Sequence, residues 1–201
     1  MIPKNWNNIT TEQFMRFDKA QKEEPQTSLE KIDLMVKKAC ILTGMDELDV
    51  MNMDLLELSK VDILASTPIP QKIYETFKLG DVNYEVIKNP NKLNAYRYAG
   101  VMEASKKNNL YEVLYFISRP FHLKGLKREY FEFEAWEVPD RINDFKNLPI
   151  TISHPIAAFF LKMSNECTNF LQEYSIEKMR EMRKMLGEAK TDIQELTDGL
   201  K

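Results

Sequence analysis

The sequence predicts a mainly α protein: a helical domain with one small β-hairpin and a long C-terminal amphipathic helix. Three observations lead there. Capping-box spacings recur ahead of apolar runs of helical period, one stretch near residues 73–87 switches to strand-like alternation, and no proline follows Pro155. With 201 residues, 43% hydrophobic and 29% charged, the chain has the composition of a globular protein with a buried core.

Along the chain, Thr10 and Gln13 open a first helix that presents Phe14 and Phe17 on one side and ends before Pro25. Thr27 and Glu30 open a second, with Leu29, Ile32, Met35, Val36, Ala39 and Cys40 as one expected inward stripe and Gly44 as its stop. Asp54 and Glu57 repeat the signature. The helix they start turns Leu55, Leu58, Val61 and Leu64 inward and ends at Pro68 and Pro70.

The period then changes. Ile73, Phe77 and Leu79 share one face, Val82, Tyr84 and Val86 alternate, and Gly80-Asp81 between them can take the positive φ of a tight turn, which is a hairpin. Asn89-Pro90-Asn91 breaks it, and Leu93, Tyr96, Ala99, Gly100 and Met102 read as a helix in which Gly100 admits a close neighbour. Leu110 to Ile117 is uniformly apolar. Its length favours helix over strand, with Pro120 as the end. Residues 130–136 alternate Phe131, Phe133 and Ala135 with Glu132 and Glu134, which suits an extended edge segment, and Val138-Pro139 starts a short helix towards Phe145.

The C-terminal helix divides into two halves. Ile156, Phe159, Phe160, Met163, Cys167, Phe170, Leu171 and Tyr174 form a broad stripe suited to core contact. Met179, Met182, Leu186, Ala189, Ile193, Leu196 and Leu200 follow at alternating three- and four-residue steps, a heptad seam. The expected division is therefore a domain over 1–175 and a helical extension over 176–201. The seam residues either pack on the protein's own body or engage another chain, and they are the candidate partner-binding set because little chain remains beyond them to cover a terminal apolar stripe.

Chemistry finds little purchase in the sequence. Six glycines spread singly make no phosphate-cradling loop, and His122 and His154 stand in no metal-ligand spacing with each other or with Cys40 and Cys167. Both histidines read as ordinary surface or loop residues, and both cysteines as small buried hydrophobes in a reducing compartment. Glu132, Glu134, Glu137 and Asp140 could serve acid and base roles but read better as a solvated strand edge blunted by charge. Lys124, Lys127 and Arg128 beside Phe121 and Tyr130 are a weak single-strand signal in a chain of net charge −3, so a nucleic-acid-associated factor ranks third. The expectation is no enzyme, no cofactor and no metal. The N-terminus lacks the pattern of a secretory signal, and no apolar run approaches the roughly 20 residues that cross a bilayer.

In order, the chain carries Ile2-Pro3-Lys4-Asn5-Trp6-Asn7-Asn8-Ile9-Thr10 leading into Gln13-Phe14, then a helix closing on Leu42-Thr43-Gly44. A hairpin with Phe77, Leu79, Gly80, Tyr84 and Val86 follows, and later Leu148-Pro149-Ile150 through Phe159-Phe160-Leu161. This order resembles small virion-assembly proteins of tailed phages, particularly phages of gut Bacteroidota, that include tail assembly chaperones. The resemblance spans about residues 2–175. It implies a non-enzymatic protein that binds an apolar partner, such as a tape-measure protein, in the host cytoplasm. Residues 121–136 and the seam from Met179 onward depart from that pattern. They keep open a structural virion protein, a ring, connector or other tail or neck component, that oligomerises with itself.

Overall fold

The structure, a computed structural model, describes residues 1–163. The chain divides into two units, Met1–Phe160 and Leu161–Lys201. The first is mainly helical and holds both hydrophobic cores.

The first core is built by the N-terminal segment and four helices, α1 (Thr11–Gln21), α2 (Ser28–Thr43), α3 (Glu47–Met51) and α4 (Leu55–Ser66). Local signals set their starts. Thr10 accepts from the Gln13 N–H at 3.2 Å while Gln13 accepts from the Thr10 N–H at 3.0 Å, and Thr27 with Glu30 repeats the box. Gly44, at φ +71°, closes α2 with its N–H on the Cys40 carbonyl. At α4 only half of the box forms: Asp54 accepts from the Glu57 N–H, but the Glu57 carboxylate accepts from the Ile2 N–H at 3.0 Å and pairs with Lys60. The side chain that would have closed the cap instead fastens the chain's first residues to α4. Trp6 is anchored likewise, donating from its indole N–H to the Thr67 carbonyl at 2.7 Å.

The inward faces differ from expectation at three positions. Leu58, Val61 and Leu64 are buried on α4 as their spacing predicts, whereas Leu55 points outward. On α2, Val36 and Ala39 are buried with Leu34, Ile41 and Leu42, while Leu29 and Ile32 are exposed. Both errors have one physical cause: each helix carries apolar residues around more of its circumference than its neighbours cover.

The sheet is the larger correction. Instead of a single hairpin there are two, giving a four-stranded antiparallel sheet in the order β1 (Thr76–Leu79), β2 (Val82–Val86), β3 (Ser118–Lys124), β4 (Lys127–Tyr130). The first hairpin turns at Gly80-Asp81 as expected, with Gly80 at φ +58°. The second was hidden by Pro120, which sits inside β3 opposite Tyr84 rather than ending an element. The Pro120 carbonyl accepts from the Phe131 N–H, on the β4 side. In an antiparallel strand a residue's N–H and C=O point the same way, so the donor that proline lacks is missing on that side too, beyond the last β3–β4 pair. The β2–β3 ladder loses nothing. The extended edge expected over 130–136 is thereby displaced: β4 ends at Tyr130, and Phe131 to Glu134 lie outside regular structure.

The second core joins this sheet to α5 (Ala95–Lys106), α6 (Leu110–Phe116), α7 (Val138–Asp144) and a helix over 150–163, α8. Tyr84, Val101, Leu114, Ile117, Phe145 and Phe160 are fully or nearly fully buried there. Gly100 lets α5 lie against α6, because a Cβ at that position would meet the Phe116 ring at 2.5 Å. The helix α8 bridges the cores, giving Ile150 to the first and Ile156, Ala157 and Phe160 to the second.

Candidate protein-binding surface

The strongest surface feature among the described residues is on α3 and α4. Leu55, Leu56 and Ile63 fall on one side of α4, opposite Leu58, Val61 and Leu64, and are 73%, 77% and 65% exposed. Leu48 and Met51, three residues apart on α3, are also exposed, and only Asn52 to Asp54 separate the two helices. A soluble helix normally pairs one apolar face with one polar face, and a helix apolar on both faces is normally covered on both. α4 has the second pattern and the first pattern's exposure. Burying one such side chain is worth roughly 1.5–3 kcal/mol, so a partner that covered several would gain usable binding energy.

The sequence that carries these side chains is acidic. Between Asp46 and Asp62 stand six acidic residues and one basic residue, Lys60. Lys60 is already paired with Glu57, whose carboxyl is held below its usual range by that partner and by the Ile2 N–H. Asp46 and Asp54 are engaged as caps of α3 and α4. Glu47, Asp49 and Asp62 remain exposed, with no ion-pair partner among the described residues.

Sequence reasoning missed this surface. The signal was present in the doublets Leu55-Leu56 and Ile63-Leu64, which put apolar side chains on both faces of one helix. The predicted partner-binding residues, Met179, Met182, Leu186, Ala189, Ile193, Leu196 and Leu200, lie outside the described residues, as does Cys167.

Several of the other candidates have partners within the chain. Glu132 is drawn from the imagined carboxylate group to Arg97, at 2.6 Å. Glu137 accepts from the Glu134 N–H and pairs with Arg141. The basic and aromatic cluster does assemble on β3 and β4, with Arg128 over the Phe121 ring, but Arg128 also pairs with Glu85, and Lys124 pairs with Glu129 at 3.1 Å. Lys127, the third cation of the cluster, is exposed with no ion-pair partner among the described residues. His122 stacks on Phe131 at the surface. His154, expected at the surface or in a loop, is instead half-buried on α8 with its ring edge-on to Phe14. Among the described residues no three His, Cys, Asp or Glu side chains converge as a metal site, and no helix is long and apolar enough to cross a membrane.

An open cleft of ≈ 710 Å³ runs between α1 and α2, lined by Arg16, Lys19, Glu23, Lys37 and Cys40 among others. Lys37 and Glu23 pair across it at 2.5 Å. Burial and the nearby Glu47 push the Cys40 thiol up, away from a reactive thiolate. Comparison with protein-family models, with curated proteins and with solved structures finds no match to this chain.

Proposed function

We propose that this is a non-enzymatic assembly protein, similar in role to a tail assembly chaperone, that binds a partner protein through apolar helix surfaces. The observation that carries this reading is the outward apolar face of α4, with Leu55, Leu56 and Ile63 left in solvent on a well-packed helix. The heptad seam from Met179 to Leu200 supplies a second apolar surface on sequence grounds. The phage setting, the host cytoplasm as its location and a tape-measure protein as partner rest on the resemblance of residues 2–175 to virion-assembly proteins.

A permanent virion component that oligomerises is the second reading, favoured by the β3–β4 hairpin. Every residue of β4 is exposed, and Leu123 and Leu126 stand in solvent around the turn at Gly125. A hairpin tip with two exposed leucines set among lysines suits contact with a neighbouring subunit.

Mass spectrometry of purified particles separates the two. A chaperone is absent from them, whereas a structural component is present at fixed stoichiometry. The seam is tested in the full chain by Leu186→Asp with Ile193→Asp, expected to abolish self-association or partner capture without unfolding the protein. Unchanged assembly by light scattering would remove the seam from the proposal.

A further inference from the structure

We infer that the outward face of α3 and α4 is a docking site for a basic amphipathic helix of a second protein. The inference rests on the protein-binding reading above and adds the chemistry of the partner. Leu56 and Ile63 are seven residues apart, two turns of α4, with Leu55 beside them, and Leu48 and Met51 on the preceding short helix α3 are exposed as well. A partner helix with apolar side chains at i, i+3 or i+4, and i+7 matches that spacing.

The charge selects among occupants. Of the six carboxylates between Asp46 and Asp62, Glu57 is engaged by Lys60 and the Ile2 N–H and Glu47 lines the α1–α2 cleft, which leaves Asp46, Asp49, Asp54 and Asp62 as exposed carboxylates of α3 and α4 with no ion-pair partner among the described residues. A helix flanked by Lys and Arg is attracted and held in register there, while an acidic one is repelled. A second copy docking face to face would set the same carboxylates against each other. The chain's own residues 177–201 carry six acidic and six basic side chains, so they have no net charge to offer in return. Electrostatic complementarity therefore favours a foreign basic helix over either source within this protein.

The test uses the full chain and two fluorescent synthetic peptides of equal length and identical leucine heptads, one with Lys and Arg at the flanking positions and one with Glu. The basic peptide is expected to bind at least tenfold more tightly, with an affinity that falls as salt is added. Leu56→Asp with Ile63→Asp should weaken that binding at least tenfold, at unchanged circular dichroism and melting temperature, since both side chains are already in solvent. A second variant, Asp49→Lys with Asp62→Lys, should narrow or reverse the preference between the peptides without touching an apolar residue. Equal binding of the two peptides, or basic-peptide binding that survives both variants, overturns the inference. So does displacement of the basic peptide by a peptide of residues 176–201, or a dimer that dissociates in the Leu56→Asp, Ile63→Asp variant, since either gives the face to this chain itself. These outcomes leave the assembly role standing, since the particle analysis and the Leu186→Asp, Ile193→Asp variant test it without reference to this face.

Discussion

His154 shows how one side chain ties stability to pH. Its ring packs edge-on against Phe14, with centroids 5.8 Å apart, and its Nδ1 is buried without a hydrogen-bond partner among the described residues. Burial lowers its pKa from the ordinary value near 6.5, and the opposing pull of Asp18 is the smaller influence. The folded state therefore holds the neutral form, while the unfolded chain takes up a proton near pH 6.5. Stability contributed in this way is complete above that pH and declines as pH falls from about 6.5 towards the folded pKa. The carboxyls with lowered values, Glu30, Glu57 and Glu75, act in a separate window. Their contribution is present above about 4.5 and is lost below it. Denaturant titrations at pH 7 and pH 5.5 should thus show a loss of stability that His154→Phe reduces. An identical pH dependence in the variant would show that the loss originates elsewhere.

Arg97 organises the junction of elements around α6. From α5 its buried guanidinium donates to the Phe116 carbonyl at 3.2 Å and the Ser118 carbonyl at 2.7 Å, where α6 ends and β3 begins, and to Glu132 at 2.6 Å beyond β4. Helix C-terminal carbonyls have no partner within the helix, and leaving them unsatisfied in a buried setting is costly. Arg97→Met is expected to cost about 3 kcal/mol, a fall in Tm of roughly 6–12 °C for a domain of this size. Glu132→Gln should cost about 1 kcal/mol or less, because that side chain is 63% exposed and its attraction is screened. Equal losses would mean that the ion pair, and not the carbonyl cap, holds the junction. This junction is also where legibility failed. Capping boxes at Thr10 and Thr27, the Gly44 stop and the Gly80-Asp81 turn are local, so the sequence shows them directly. The start of β3 is not local. It depends on Arg97, 21 residues earlier than Ser118, and on a proline whose missing donor falls where no ladder needs it. The docking face escaped for a related reason: Leu55 and Leu58 look alike in sequence, and only the packing of α4 decides which of them is covered.

Across the whole first unit, the two cores are coupled through the pairing of residues 9–11 with 148–150. Thr11 donates its N–H to the Leu148 carbonyl at 2.9 Å, and Ile150 donates to Ile9 at 2.8 Å. The Thr11 hydroxyl lies 2.7 Å from the Leu148 carbonyl and 2.8 Å from the Ser153 hydroxyl, with both residues fully buried. Nothing in the sequence announces this seam, since Thr11 reads as an ordinary first-turn residue and its partners lie 137 and 142 positions away. Since α8 contributes to both cores, one cannot unfold and leave the other's packing intact. Thr11→Val keeps the shape and removes the hydroxyl, leaving Ser153 short of a buried partner at a cost of about 1–2 kcal/mol. In a Trp136→Phe background, fluorescence follows Trp6 in the first core, while the fluorine NMR signals of fluorotyrosine at the buried Tyr84 and Tyr115 follow the second. The two probes should share one midpoint, and Thr11→Val should shift both by the same amount, as a single cooperative unit requires. If only the Trp6 transition moves, the cores unfold independently and α8 does not couple them.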